Sequence, residues 1–489
     1  MPCTTILVGK KASYDGSTLM ARNEDSSAGE FTPKKWIVVN PENQPRHYRS
    51  MLSSFAIDLP EDPMRYTAMP NALPEKGIWG ETGFNEAGVA MSETETITSN
   101  ARVLGADPLV PSGIGEEDML TLVLPYIKSA REGVKRLGSL IEQYGTYEKN
   151  GIGFQDQEEI WWFESIGGHH YIAKKVPDDS YVVMPNQQGI DRFDLRDAFS
   201  DEEECMCSPD LLRFIEENHL DLSMEGEVIP LSEQVDFDAR AAFGSKDDAD
   251  HTYNTCRAWF MLRTLNPRTC RWDGPDAAFT PESDDLPWCM IPEKKVTIED
   301  IKYVLSSYYQ GTEYNPYGKG DENLRGKYRP IGINRNNFLG LTQIRPYVPA
   351  EIAPVMWIAE GSNAFNGMVP FYGNVTDTPS YLRDTGSRVS TDSFYWASRL
   401  IGALSDAHYL STASSIERYQ HGLSAGVTHL LYECDRAFLE EKPADVCAFL
   451  GECNEKIAAY AKQATDDVLS RVLFEASNEM KNRYKRSDS

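Results

Sequence analysis

Several things that would mark common classes of protein are scarce in this chain of 489 residues. No apolar run approaches the ~18 residues a bilayer-spanning helix needs, so no membrane span is predicted. Cationic side chains are outnumbered: Lys and Arg total 48 against 75 Asp and Glu, a net charge of −27. So acidic a surface repels phosphate backbones and anionic headgroups, which argues against nucleic acid and membranes as partners. No basic region followed by an apolar segment opens the chain, so no export signal is expected. The cysteines are an odd, scattered set of 9, expected to be mostly reduced in a cytoplasmic protein.

Catalytic signatures are missing too. There is no Gly-x-Ser-x-Gly elbow for a Ser/His/Asp hydrolase and no His-Glu-x-x-His for zinc. His169-His170 would sit on a strand, where neighbours point to opposite faces. Gly318-Lys319-Gly320 lacks the Gly-Lys-Ser/Thr ending of a phosphate loop, and Cys205-x-Cys207 is too close for a zinc knuckle. Neither a metal nor a cofactor is expected.

What is present is ample core material, 41% apolar with 11% aromatic, and an unusual beginning. Thr4 to Val8 is β-branched and apolar, the composition of a buried strand. Asp15-Gly16 is a two-residue hairpin turn, and Ser17 to Ala21 makes the returning strand. Such a hairpin brings Arg22 and Asp25 back toward Cys3. Were Met1 and Pro2 removed, Cys3 would carry a free α-amine beside its thiol. With ordinary pKa values near ~8 and about 8.5, amine and thiol would make a general base and a nucleophile matched to neutral pH.

Cys3-Thr4-Thr5, the Asp15-Gly16-Ser17-Thr18 turn and Ala21-Arg22-Asn23-Glu24-Asp25 resemble the opening of the C69 dipeptidases. These are cysteine members of the N-terminal nucleophile (Ntn) hydrolases, more distantly similar to bile-salt hydrolases and penicillin V acylases. The resemblance implies an α+β fold, a four-layer αββα sandwich, with catalysis by Cys3 after loss of Met1-Pro2. It places Arg22 and Asp25 around the amine, and a cation beside the sulfur would favour thiolate. Asn85, in Gly83-Phe84-Asn85-Glu86-Ala87-Gly88, resembles an oxyanion-hole turn, and Asn186 the second oxyanion asparagine. Arg257, in Tyr253-Asn254-Thr255-Cys256-Arg257, matches a catalytic-site arginine, although Arg263 is only six residues on. Implied substrates are dipeptides of broad side-chain range, cleaved without metal by a homo-oligomer. An acylase of N-acyl amides, or an unprocessed relative without activity, are the alternatives.

The rest divides into a core over residues 3–380 and a helical region over 381–489. Strands are predicted at Trp36–Val39, Met51–Ile57, Ile78–Gly80, Val89–Ser92, Gly151–Phe154, Ile160–Glu164, Gly167–Ala173, Tyr181–Met184, Pro354–Ala359 and Phe371–Val375. Acids in its first turn suit a helix from Gly115, with Pro125 and Gly133 dividing the helical stretch that runs to Tyr144. Residues 191–250 read as an acidic loop region with one helix at Pro209–Asn218. A helix at Thr255–Leu265 and a Gly- and Tyr-rich candidate lid at 311–333 come next. Helices close the chain at Phe394–Asp406, Ser415–Phe438 and Ala444–Tyr484, the last with an apolar stripe through Ile457, Tyr460, Ala461, Ala464, Val468, Val472 and Leu473.

Overall fold

The computed structural model describes residues 3–73, 79–223 and 229–484; Met1, Pro2 and Ile78 lie outside them. Two antiparallel sheets organise the chain. The larger has seven strands, in the order Cys289–Met290, Tyr181–Met184, Cys3–Val8, Thr18–Asp25, Asn336–Ile344, Pro354–Glu360 and Val369–Tyr372. The smaller has six, in the order Cys205–Cys207, Tyr171–Lys175, Ile160–Ser165, Asn150–Gln155, Ala90–Glu95 and Thr82–Phe84.

The opening hairpin forms, with Cys3 opposite Glu24 and Val8 opposite Leu19. Its connection is longer than the two-residue turn expected. The amides of Gly9 and Lys11 bond the carbonyls of Ser180 and Asp178 at 2.9 and 2.7 Å, drawing residues 9–17 across the neighbouring strand. Asp15-Gly16 still makes the tight bend, with Gly16 at φ +85°, a value that costs glycine nothing.

Leu7 and Met20 of the larger sheet close on Gly153 of the smaller, where a Cβ has no room. Gln155 ties the sheets together, its Nε2 donating to the Thr18 and Thr342 carbonyls at 2.7 and 3.3 Å. On its other side the smaller sheet carries the helix Ala130–Tyr144. Gly133 lies inside that helix rather than ending one, because its missing side chain admits the Phe154 ring. The helices Cys256–Leu265, Ile298–Leu305, Phe394–Ala407, Tyr409–Glu441 and Val446–Asn478 pack with the larger sheet or with each other. Asn454 fixes the last of them, its Oδ1 accepting from Tyr372 N at 2.8 Å.

Three further expectations change. The strand expected at Gly167–Ala173 starts at Tyr171, so His169 and His170 precede it and both turn Nδ1 to Asp107, at 3.0 and 2.8 Å. The Met51–Ile57 strand shrinks to Ala56–Asp58. In the last helix Ile457, Ala461, Val468 and Val472 are buried, whereas Tyr460 and Leu473 are exposed. None of the helices among the described residues is long and apolar enough to cross a membrane.

Candidate active site

Cys3 opens a central strand of the larger sheet and is fully buried. In the returning strand Arg22 lies opposite Thr5 and reaches the cysteine with Nη2, which donates to Cys3 Sγ at 2.6 Å. Two carboxylates aim that guanidinium: Glu81 Oε2 at 2.5 Å from Nη1 and Glu116 Oε1 at 3.2 Å from Nη2. Lys34 completes the set between Glu81 and Glu24, at 2.9 and 3.1 Å. Every member is shielded from solvent. Glu116 stands in the first turn of the helix Glu116–Val123, whose dipole favours an anion there. Glu81 has φ +67°, an uncommon left-handed conformation for a residue with a side chain; such strain concentrates at functional sites.

The backbone of Cys3 is clamped from the other side. Its amide donates to Asn186 Oδ1 at 3.2 Å, and its carbonyl accepts from Arg257 Nη1 at 2.5 Å. Arg257 Nη1 also bonds Thr4 Oγ1 at 2.7 Å, and Nη2 reaches Asn186 Oδ1 at 2.8 Å and Asn254 Oδ1 at 2.7 Å. A π-helical turn over His251–Thr255, the kind of irregularity often found at functional sites, precedes the helix that carries Arg257. Arg263 points away and pairs with Asp273 at 2.9 Å.

Asp25 pairs with the buried Arg329 and accepts from Asn336 Nδ2 at 3.0 Å, so its carboxylate anchors the 311–333 segment to the opening hairpin. Asn85 is corrected to a structural role. Both its amide hydrogens are committed, to the carbonyls of Leu124 at 2.8 Å and Ile127 at 2.7 Å, and its Oδ1 holds the amides of Ala87 and Val89. No hydrogen is left for an oxyanion. Glu81, Glu116, Lys34 and Arg329 were not foreseen; the one available signal was the acid run Glu116-Glu117-Asp118, read only as a helix start.

Burial pushes the Cys3 thiol up to about 12; Arg22 draws it down, and Glu116 and Glu81 push it up again. The thiol is therefore protonated at neutral pH, and the expected preformed thiolate gives way to one made when a base takes the proton. Burial also raises Glu24 to about 7, despite the opposing pull of Lys34.

A buried cysteine with a guanidinium on its sulfur and both flanking peptide groups clamped is the arrangement of a thiol hydrolase. The model of Peptidase family C69 matches residues 2–422. The chain is 53% identical to "Dipeptidase" of Bifidobacterium longum (strain NCC 2705), with all of both chains covered. It is likewise 53% identical over the whole of both chains to "Probable dipeptidase A" of Streptococcus pyogenes serotype M3 (strain SSI-1). "Dipeptidase A" of Lactobacillus helveticus is 41% identical, covering 99% of this chain and 98% of that one. Among solved structures, penicillin V acylase from Agrobacterium tumefaciens aligns with a TM-score of 0.33 and 13% identity, covering 76% of this chain and 86% of that one. The chain belongs to peptidase family C69.

Proposed function

We propose that this peptidase is a metal-independent dipeptidase whose nucleophile is Cys3, exposed as the first residue by removal of Met1-Pro2. The observation that carries the mechanism is the Arg22 Nη2 contact with Cys3 Sγ at 2.6 Å; the full-length relatives named as dipeptidases support the substrate class. The α-amine takes the thiol proton as sulfur attacks the scissile carbonyl, and Arg22 steadies the sulfur as it becomes anionic. The tetrahedral intermediate collapses with the proton passing to the leaving amine. Water, deprotonated by the same α-amine, then hydrolyses the thioester and restores the thiol. Asn186, its Oδ1 engaged by the Cys3 amide and by Arg257, presents the amide nitrogen as the oxyanion donor.

The same reading takes the fold as a four-layer αββα sandwich, supported by the sheet-to-sheet contacts at Gly153 and by the helices packed outside. Residues 311–333 form the lid, supported by the Asp25–Arg329 pair and by Tyr317 stacking on Tyr409 at 4.0 Å. The enzyme works in the cytoplasm, which suits a chain with none of its cysteines in a disulfide. It self-associates through the last helices, where Leu410 and Phe474 are 85% and 66% exposed. An acylase would want an apolar pocket at the sulfur, where Arg22, Glu81 and Glu116 stand instead.

Cys3→Ala should fold normally, by its thermal melt, and lose dipeptide hydrolysis by about ten-thousandfold or more. Intact mass should show the mature wild-type chain beginning at Cys3. Comparable turnover in the alanine variant, or an intact Met1, would end this mechanism.

A further inference from the structure

Unlike Arg22, Arg257 holds the nucleophile without a carboxylate of its own. It is fully buried, and every one of its N–H groups is spent on a neutral acceptor. Nε donates to the Tyr253 carbonyl at 2.7 Å, Nη1 to the Cys3 carbonyl and Thr4 Oγ1, and Nη2 to the Oδ1 atoms of Asn186 and Asn254. Burial, and after it the nearby Arg329, draw this guanidinium down to about 10. A buried cation with no anion to support it is costly.

The first carboxylate along its bonds is reached through Asn254, whose Nδ2 donates to Asp250 Oδ1 at 2.6 Å. Asp250 is 3% exposed. Its Oδ2 accepts from Ser245 Oγ at 2.5 Å and, more loosely, from the Asp247 amide at 3.4 Å. The Asp247 contact belongs to a capping box at the short helix Asp248–Asp250, and a cap of that kind works as well in solvent. Capping therefore accounts for the weakest of these bonds and leaves the two tightest unexplained.

An amide side chain has two ends, a donor and an acceptor. Turned over, Asn254 would aim Nδ2 at a guanidinium, donor against donor. An ionised carboxylate only accepts, so Asp250 holds the Asn254 amide the right way round and leaves Oδ1 for Arg257. Arg257 in turn engages Asn186 Oδ1, which leaves Asn186 Nδ2 to face the reacting carbonyl. We infer that Asp250 is a positioning residue for the reaction, acting through Asn254 and Arg257 on the orientation of the Asn186 amide. The inference rests on the reading of Cys3 as nucleophile and Asn186 as oxyanion donor, and adds the residues that aim that donor.

The test separates oxyanion stabilisation from formation of the nucleophile. Loss of one oxyanion donor costs about 10²–10³ in kcat. Asp250→Ala should lower the kcat of folded enzyme on a free dipeptide at least about tenfold, with KM within about twofold of wild type. Asp250→Asn keeps an acceptor for Asn254 Nδ2 and should recover most of that loss. Alkylation of Cys3 by iodoacetamide needs the thiol and Arg22 but no oxyanion hole, so its rate in Asp250→Ala should stay within about twofold of wild type. Asn254→Leu, close in volume, breaks the same chain; it should give the same pattern and keeps the test standing if Asp250→Ala fails to fold. An unchanged kcat in the folded variants overturns the inference, and so does alkylation that slows in step with kcat. Turnover retained in Cys3→Ala or in Asn186→Ala would instead sink the reading beneath it.

Discussion

Two buried arginines, Arg22 and Arg345, stand in settings that look alike by exposure and differ in charge. Arg345 grips Asp435 with both Nη atoms, at 2.6 and 3.0 Å, and donates to the Ile352 carbonyl at 2.5 Å. Tyr372 OH caps the same carboxylate at 2.8 Å. One cation meets one anion there, and the long helix Tyr409–Glu441 is fastened to the larger sheet. Arg22 faces Glu81, Glu116 and the thiol of Cys3, with Glu93 unpartnered nearby. Packing explains the balanced set. It leaves the unbalanced one unexplained, and the chemistry proposed for Cys3 gives that one its reason. Excess buried charge, more than burial itself, separates a working centre from a structural rivet.

Replacing each arginine by methionine breaks the comparison most directly. Either change strands a buried carboxylate, so each should destabilise the fold by about 3–5 kcal/mol, read as a lower melting temperature. Only Arg22→Met should also lower activity in the folded fraction, by roughly a thousandfold, because only Arg22 touches Sγ. Arg345→Met should leave the kcat of folded enzyme within about twofold of wild type. Equal loss of turnover in both variants would show that the balanced pair is also part of the working centre.

Much of the centre was legible because hairpin geometry is local: Cys3 and Arg22 meet across one turn. Asn186 and Arg257 came from motif resemblance; Arg257 contacts Cys3, whereas Arg263 pairs with Asp273. The strand Asn336–Ile344 was missed although it lies beside the middle strand of the larger sheet. Its interior is half polar, and those groups are satisfied by distant partners: Thr342 Oγ1 donates to Gln155 Oε1 at 2.5 Å, and Gln343 Nε2 to Asp15 Oδ2 at 2.8 Å. Such a strand shows neither an apolar run nor clean alternation. Glu93, buried in the strand Ala90–Glu95, lay just past the end of the strand expected at Val89–Ser92. Asn85 misled because its turn motif serves the fold equally well.

The excess of buried acid should also shape stability against pH, a smaller effect. Glu24, Glu117 and Glu148 are each raised from 4.5 to about 7, with burial the leading cause. Folded protein therefore binds more protons than the unfolded chain between pH 4.5 and about 7, so the stability these groups contribute is present in acid and lost as pH rises through that window. Asp107, lowered to about 2 mainly by its hydrogen bonds to His170 and His169, against the opposing effect of burial, acts oppositely and only in stronger acid. Melting temperature should fall by a few degrees between pH 5 and 8, and Glu24→Gln should flatten that fall. Should the slope of Glu24→Gln match wild type, Glu24 does not titrate as described.

The smallest expected effect is none at all, and it sharpens the contrast between the arginine sites. The buried carboxylates Glu24, Glu81 and Glu116 near Cys3 are the type of side chain a divalent cation would take as ligands. Geometry speaks against the metal. Among the described residues no group of three or more His, Cys, Asp and Glu side chains is disposed to hold one. The carboxylates nearest Cys3 are already engaged by Arg22 and Lys34, and charged nitrogens occupy the positions a cation would take. His169 and His170, the other conspicuous donors, both spend Nδ1 on Asp107. Extensive dialysis against EDTA should therefore leave kcat/KM on a free dipeptide unchanged. A loss restored by zinc or manganese would move the enzyme to a metallopeptidase mechanism.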